Sequence, residues 1–156
     1  MFRIGIGQDS HKLVLGGTLV LGGVTISKTC HLDADSDGDV ILHSLCNAFS
    51  SAIGEGSLDT WAGEMFQKGV TDSKQFLLVI LEKINKHDYK ISNISIAIEA
   101  KEPKLEGKRE EIQEKLVSLV GIEKDRVGLT FTSGEGLTSF GNGKGIQAIS
   151  MVLLEK

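Results

Sequence analysis

The sequence predicts an α/β sandwich in which one sheet carries helices on one face. Apolar residues alternate in strand-like fashion near the start of the chain and again in segments 91–100, 126–133 and 145–154. Three longer segments repeat apolar residues at helical spacing instead. Strands that are mixed with helices along one chain are typical of α/β layers. These patterns do not decide the order of the strands in the sheet.

The first half of the chain predicts a strand, a hairpin and a helix. Residues 2–10 form the strand, and residues 13–26 suit a hairpin because Gly-Gly pairs separate short β-rich pieces. Residues 37–51 predict the first helix, with Asp37 or Asp39 favouring its N-terminus. Its apolar stripe comprises Val40, Leu42, Leu45, Ala48, Phe49 and Ala52.

Two further helices alternate with the remaining strands. Residues 71–87 predict the second helix, which Thr71 or Asp72 can cap. Residues from about 107 to 120 predict the third, with Gly121 at its end. The apolar faces of these helices comprise Phe76, Leu77, Ile80, Leu81 and Ile84 in the second, and Ile112, Leu116 and Leu119 in the third.

Composition limits the classes of function. We expect residues 1–156 to form one domain, because this length can bury a substantial core. The net charge is −4 and no run of Lys and Arg stands out, so nothing favours a nucleic-acid partner. Cys30 and Cys46 are too few for a disulfide framework and predict reduced thiols. Without a signal peptide or long apolar run, we expect no membrane partner and a cytoplasmic location, or a plastid-type compartment if a transit peptide has been removed.

Two polar clusters could together hold a metal ion. In "GQDSH", the alternation of a strand puts Asp9 and His11 on one face. In "DADSDGDVILH", His43 lies one helical turn after Asp39. A carboxylate and two imidazoles are a familiar set for a catalytic zinc with one open position. The alternatives are a solvated polar rim for the pair and an ordinary core or surface role for His43.

The stretch "SDGD" allows a phosphate site or simple helix capping. Ser36 and the N–H groups at a helix start can receive a phosphate, whereas the carboxylates can equally serve only as turn and cap residues. The stretch is not a calcium loop, because the glutamate that closes such a loop is missing.

Two later clusters carry small hydroxyl residues, glycines and a lysine. In "TSGEGLTSFGNGKG", Thr132 and Ser133 end a strand, and Glu135 could hold Mg²⁺ against two phosphates. The glycine spacing there is not that of a P-loop, and an ordinary loop is the alternative. In "EAKEPKL", Lys104 could contact phosphate, although a lysine at a turn is usually solvated.

Taken in this order, the four clusters resemble the 2-C-methyl-D-erythritol 2,4-cyclodiphosphate synthase family over nearly the whole chain. The matching segments are "RIGIGQDSH", "SDGDVILH", "EAKEPKL" and "TSGEGLTSFGNGKGI". The resemblance implies a homotrimer of ferredoxin-like subunits with active sites between neighbours. It also implies closure of a cyclic diphosphate from the CDP-methylerythritol phosphate substrate, with release of CMP, in non-mevalonate isoprenoid synthesis.

The resemblance also implies roles for individual residues. Asp9, His11 and His43 would bind Zn²⁺, and Glu135 would bind Mg²⁺ or Mn²⁺ against the substrate diphosphate. Ser133 would join these four residues in the catalytic group. The substrate-binding residues would be Asp35, Ser36, Ala100, Lys104, Leu105, Thr132 and Ser133.

This chain departs from the family pattern at three places. Asp35 replaces the usual histidine, and a carboxylate cannot donate a hydrogen bond to phosphate unless it is protonated. The segment that holds the methylerythritol hydroxyls is altered around "GEGSLDT", where Ser57 and Asp59 are the candidates. Asn142 replaces an arginine that points into the centre of the trimer. Two rival functions follow: a metal-dependent phosphohydrolase, and a catalytically impaired member that binds nucleotide or metal.

Overall fold

The computed structural model describes residues 1–156, which form seven strands and five α-helices. The strands are β1 (Phe2–Leu15), β2 (Leu19–Leu21), β3 (Val24–Ser27), β4 (Cys30–Asp33), β5 (Lys90–Glu99), β6 (Val127–Thr132) and β7 (Gly145–Glu155). The helices are α1 (Val40–Ala52), α2 (Leu58–Trp61), α3 (Gly63–Gln67), α4 (Ser73–Lys86) and α5 (Arg109–Val120).

Five of the strands form one mixed sheet in the order β4-β1-β7-β5-β6. The long strands β1 and β7 pair antiparallel from Phe2 opposite Glu155 to Lys12 opposite Gly145. Only β5 and β6 are parallel, and α5 lies between them in the chain. Strands β2 and β3 form a separate hairpin. The predicted α/β class is therefore confirmed, while the narrower ferredoxin-like description stays a prediction.

The helices cover one face of this sheet. α1 packs on β1 and β7, α4 packs against α1, and α5 packs on β6 and β3. Alternate side chains of the central strands enter the core beneath them, as Ile94, Ile96 and Ile98 of β5 do. None of the helices has the length and apolarity that crossing a membrane requires.

The opposite face of the sheet is apolar and exposed. Ile4 and Ile6 of β1 are 67% and 59% exposed, and Met151 of β7 is 47% exposed. Ile6 pairs with Met151, and Ile4 with Leu153, so these side chains form adjoining rows across the two strands. Ile149 continues the row on β7. We call this surface the open sheet face.

Two glycines let α1 lie directly on β1. A Cβ atom at Gly5 would fall 1.9 Å from the backbone oxygen of Ala48, and one at Gly7 would fall 2.1 Å from that of Ser44. No side chain fits in that space, so the helix and the strand meet backbone to backbone. This contact sets the position of α1 relative to the strand.

The structure corrects several predicted boundaries. β1 extends to Leu15 instead of ending near residue 10, so the hairpin comprises only β2 and β3. α1 begins at Val40, because residues 37–39 form the loop that caps it. α5 begins at Arg109, after a short 3₁₀ turn, and ends at left-handed Gly121 as predicted. β4, α2 and α3 were not predicted, since elements of four or five residues show little periodicity.

We expect Gly5→Ala to lower the free energy of unfolding by roughly 1–3 kcal/mol or more, because the added methyl must push α1 away from β1. Gly63→Ala is the matched control, since a methyl group added there would meet no neighbouring atom within 4 Å. That control should be neutral or slightly stabilising. Denaturant unfolding of both variants measures the difference, and equal midpoints would contradict the role assigned to Gly5.

Candidate metal centre and adjoining pockets

The contact between α1 and β1 brings Asp9, His11 and His43 together. Gly5, Gly7, Asp9 and His11 alternate along the same side of β1, and α1 runs over that side. Asp9 Oδ2 lies 3.1 Å from His11 Nε2 and 3.2 Å from His43 Nδ1. One ligand atom from each residue lies within 4.8 Å of the others. The sequence prediction that these three residues share a site is matched by their positions.

The polar atoms of this group suit a bound cation. His11 Nε2 is buried and has no hydrogen-bond partner of suitable geometry, although the Asp9 carboxylate is close. Burial opposes a charged Asp9, but the imidazoles of His11 and His43 outweigh it and lower the pKa of the Asp9 carboxyl. The carboxylate in turn raises the pKa of His11. Two imidazole nitrogens that converge on one carboxylate oxygen form a donor set typical of zinc.

Asp39 determines where α1 begins and so where His43 lies. Its Oδ1 accepts hydrogen bonds from the backbone N–H groups of Leu42 and Gly22, at 3.1 and 2.8 Å. Its Oδ2 accepts one from Gly23 at 2.7 Å. Burial raises the pKa of Asp39 to about 6, against the effect of these three donors. The residue therefore caps α1 and ties the helix to the turn between β2 and β3.

Two serine hydroxyls contact the ring of His43, one from the loop before α1 and one from the first residue of α4. Its Nε2 lies 2.7 Å from Ser73 Oγ and 3.3 Å from Ser36 Oγ. The ring of Phe76 packs edge-on at 6.0 Å between centroids. Sequence reasoning missed Ser73 as part of the site, because a serine in the first turn of a helix is ordinary capping chemistry.

The three candidate metal ligands line a pocket of about 290 Å³. Asp35 and Ser36 reach it from the loop before α1, and Ser57 and Asp59 reach it from the start of α2. The α2 segment is held there by Asn47, whose Oδ1 accepts a hydrogen bond from the N–H of Leu58 at 2.8 Å. The candidates for contacts to the substrate diol thus face the same pocket as the metal ligands.

A second, separate pocket of about 150 Å³ contains five of the predicted substrate-binding residues. They are Ala100, Lys104, Leu105, Thr132 and Ser133, together with Glu106 and Phe131. Ala100 and Leu105 are buried in its wall, whereas the Lys104 ammonium is exposed near Glu102. The two pockets share no residue, so a single chain does not unite the predicted metal and nucleotide groups.

Glu135 lies in neither pocket. It is exposed in the loop after β6 and has a left-handed backbone, with φ of 48°. Its N–H donates to Ser133 Oγ at 3.3 Å, so the loop folds back toward the end of β6. The structure does not group Glu135 with other potential metal ligands of its own chain.

His31, Asn142 and the two cysteines make contacts within the fold that lie outside both pockets. His31 Nδ1 is bonded to the backbone oxygen of Gly16 at 2.6 Å. Asn142 braces its loop by donating to the oxygens of Gly136 and Thr138, at 3.0 and 2.8 Å. Both cysteines are free, and burial raises the pKa of the Cys46 thiol, which keeps it protonated and unreactive.

Comparison with known proteins gives consistent matches over the whole chain. The family model described as the YgbB family matches residues 2–155. The 2-C-methyl-D-erythritol 2,4-cyclodiphosphate synthase of Chlamydia muridarum is 40% identical over 97% of this chain and 87% of its own length. The synthase of Chlamydia trachomatis serovar L2b is 37% identical over 99% of this chain and 88% of its own.

Solved structures agree with these sequence matches. A 2C-methyl-D-erythritol-2,4-cyclodiphosphate synthase in a CDP-bound form superposes with a TM-score of 0.90 at 32% identity, covering 98% of this chain and all of its own. The CDP complex of IspF from Plasmodium falciparum gives 0.86 at 31% identity, over 98% of this chain and 95% of its own. The chain belongs to the YgbB family, the 2-C-methyl-D-erythritol 2,4-cyclodiphosphate synthase family that its motifs resemble.

Proposed function

We propose that this protein converts 4-diphosphocytidyl-2-C-methyl-D-erythritol 2-phosphate to 2-C-methyl-D-erythritol 2,4-cyclodiphosphate and CMP. The observation that carries the proposal is the grouping of Asp9, His11 and His43 in one pocket of a chain that belongs to this family. We infer the particular reaction from relatives named as this synthase, which are 35–40% identical to the chain.

The chemistry requires positioning and charge neutralisation more than a protein nucleophile. The 2-phosphate attacks the β-phosphorus of the CDP group, a new P–O bond forms, and the bond to CMP breaks. Both reacting groups are anionic, so they must be held in line and their charge offset. Bound divalent ions would supply that positive charge and orient the attacking phosphate. Ser36 offers a hydroxyl beside the predicted metal ligands. The Asp35 carboxylate cannot donate a hydrogen bond to phosphate unless it is protonated, so other groups must supply those contacts.

We assign Zn²⁺ to Asp9, His11 and His43. Two imidazoles and one carboxylate leave a fourth tetrahedral position open, as catalytic zinc sites do. The buried, unpartnered His11 Nε2 beside the Asp9 carboxylate supports the assignment, because a cation there would satisfy both groups.

We assign Mg²⁺ or Mn²⁺ to Glu135. Its exposed carboxylate follows Thr132 and Ser133, which line the second pocket and suit phosphate oxygens. A hard cation commonly takes one or two carboxylates together with substrate phosphates and retained water. The nucleotide would then lie in the second pocket, against Ala100, Lys104 and Leu105.

We infer that the protein assembles as a homotrimer whose active sites lie between subunits. Exposed Ile4, Ile6 and Met151 form an apolar surface of the kind that marks protein interfaces. The metal pocket and the second pocket share no residue, and the residues that we expect to bind the substrate are divided between them. Pairing the metal pocket of one subunit with the second pocket of its neighbour would complete each site.

We expect His43→Ala to weaken zinc binding by more than about 100-fold, because a directly coordinating nitrogen matters more than the outer partners whose loss costs 10- to 100-fold. Turnover should be lost while the circular dichroism spectrum is kept. His87→Ala is the control, since His87 is exposed at the end of α4. Stoichiometric zinc in purified His43→Ala protein would overturn the assignment.

For Glu135→Gln we expect unchanged zinc content and a lower rate with a weaker response to added Mg²⁺. The substitution keeps the shape of the side chain and removes the charge that would hold the second ion. A Mg²⁺ titration of the rate compares the variant with wild type. Superimposable curves would mean that Glu135 takes no part in binding the second metal.

Sedimentation should give a trimer for the wild-type protein. Ile6→Glu should reduce the assembly to smaller species, because it places charges in the open sheet face. Leu78→Glu on α4 is the control: Leu78 is 48% exposed, on a helix that covers the other face of the sheet. A monomeric wild-type protein with full activity would exclude the assembly.

Co-expression tests whether the active sites are shared between subunits. His43→Ala removes a predicted zinc ligand and Lys104→Glu reverses a charge beside the second pocket, so each variant alone should be nearly inactive. Mixed trimers should regain part of the activity, because some sites would combine an intact metal pocket with an intact second pocket. Mixed trimers as inactive as their parents would mean that both pockets act within one chain.

Phosphorus NMR of the reaction tests the function itself. With the CDP-methylerythritol phosphate substrate, zinc and Mg²⁺, we expect signals of a cyclic diphosphate and CMP. Release of inorganic phosphate would instead identify a phosphohydrolase. An unchanged spectrum despite nucleotide binding would identify a binding protein without turnover.

A further inference from the structure

We propose that Ser73 and Asp37 are positioning residues of the metal centre, which hold His43 in the tautomer that presents its Nδ1 lone pair to the ion. This inference deepens the proposed function and rests on its zinc site. Neither residue belongs to the ligand set, and the two act on the side of the imidazole that faces away from Asp9.

The carboxylate, the hydroxyl and the imidazole form a continuous chain of hydrogen bonds. Ser73 Oγ donates to Asp37 Oδ1 and lies 2.7 Å from His43 Nε2. The backbone N–H of Ser73 also donates to Asp37 Oδ2, at 3.0 Å. Ser73 is fully buried and His43 nearly so. Water therefore has little opportunity to replace either contact.

Counting protons fixes the tautomer. A serine hydroxyl has a single proton, and Ser73 gives it to Asp37, so its lone pairs face His43. His43 Nε2 must then carry the proton of the neutral ring and donate it to Ser73. The lone pair is consequently on Nδ1, which lies 3.2 Å from Asp9 Oδ2. In this neutral tautomer two acceptors face each other at that distance and repel one another. A cation bound by both removes the repulsion, as does a second ring proton that Nδ1 donates to Asp9.

The same contacts connect the loop before α1 to the start of α4. The N–H of Asp37 donates to the backbone oxygen of Thr71 at 2.9 Å, and Ser73 is the first residue of α4. Ser36 Oγ is a more distant neighbour of His43 Nε2, at 3.3 Å, and it already accepts a hydrogen bond from the N–H of Gly38. Ser73 is therefore the main partner of the ring nitrogen.

The first test is zinc affinity, measured by competition with a chromophoric chelator. Ser73→Ala should bind zinc roughly 10- to 100-fold more weakly, because removal of a hydrogen-bond partner of a metal-bound histidine typically has that effect. The matched control is Ser44→Ala. Ser44 is also fully buried, but its hydroxyl contacts Ile41 and Ser150 and not the imidazole. Ser73→Thr keeps the hydroxyl and should restore most of the affinity.

The second test reads the tautomer without any metal. In ¹⁵N-histidine-labelled, metal-free protein at a pH where the ring is neutral, His43 should be protonated on Nε2 in wild type and in Ser44→Ala. Ser73→Ala should give a mixture of tautomers. If Ser73→Ala does not fold, Asp37→Asn serves instead, since an amide cannot accept all the hydrogen bonds of the carboxylate.

The outcomes separate this inference from the proposed function. Equal zinc affinity and the same tautomer in wild type and Ser73→Ala would overturn the positioning role. A wild-type protein that binds no zinc would overturn the metal site. The tautomer of the metal-free protein would then still decide whether Ser73 orients His43.

Discussion

The backbone contact between α1 and β1 is the constraint on which the rest of the site depends. Gly5 and Gly7 have no side chain to separate the strand from the helix, so backbone atoms of Ala48 and Ser44 occupy the space. At that separation, the first turns of α1 lie over the continuation of the same side of β1. That side carries Asp9 and His11, and the helix carries His43. Gly5, Gly7, Asp9 and His11 therefore occupy alternate positions on the same side of one strand.

The N-terminal end of α1 is attached to two other parts of the fold. Asp39 caps it and binds the turn between β2 and β3. Asp37 binds Ser73 and so ties the preceding loop to α4, and Ser73 contacts Nε2 of the His43 imidazole. Because rotation of His43 would break its hydrogen bond with Ser73 and its packing against Phe76, the ring is positioned before any ion binds. Elements that the sequence marks only as a hairpin and a second helix thus become parts of the metal centre.

The two faces of the sheet differ in what covers them: helices pack on one, and the other is exposed. The helix-covered face holds the core and, at one end, the candidate metal ligands, whereas the open sheet face exposes Ile4, Ile6 and Met151. The proposed trimer would bury this exposed surface and bring the pockets of neighbouring chains together. The same proposal would account for the division of the predicted substrate residues between two separate pockets, since it places the active site between subunits.

The sequence by itself determined the α/β class, the main helices and the residues of the metal group, because alternation, helical spacing and the four motifs are local properties of the chain. It also indicated Ser57 and Asp59 as candidates for contacts to the substrate diol, and both line the pocket of Asp9, His11 and His43. Only the tertiary structure decided the strand order, the position of Ser73 beside His43 and the separation of Glu135 from the pocket of Asp9, His11 and His43. Ser73 lies 30 positions from His43, and a serine that begins a helix gives no local sign of a distant imidazole. Pairing of β1 with β7 likewise joins the two ends of the chain, so it depends on packing between segments that no local pattern connects.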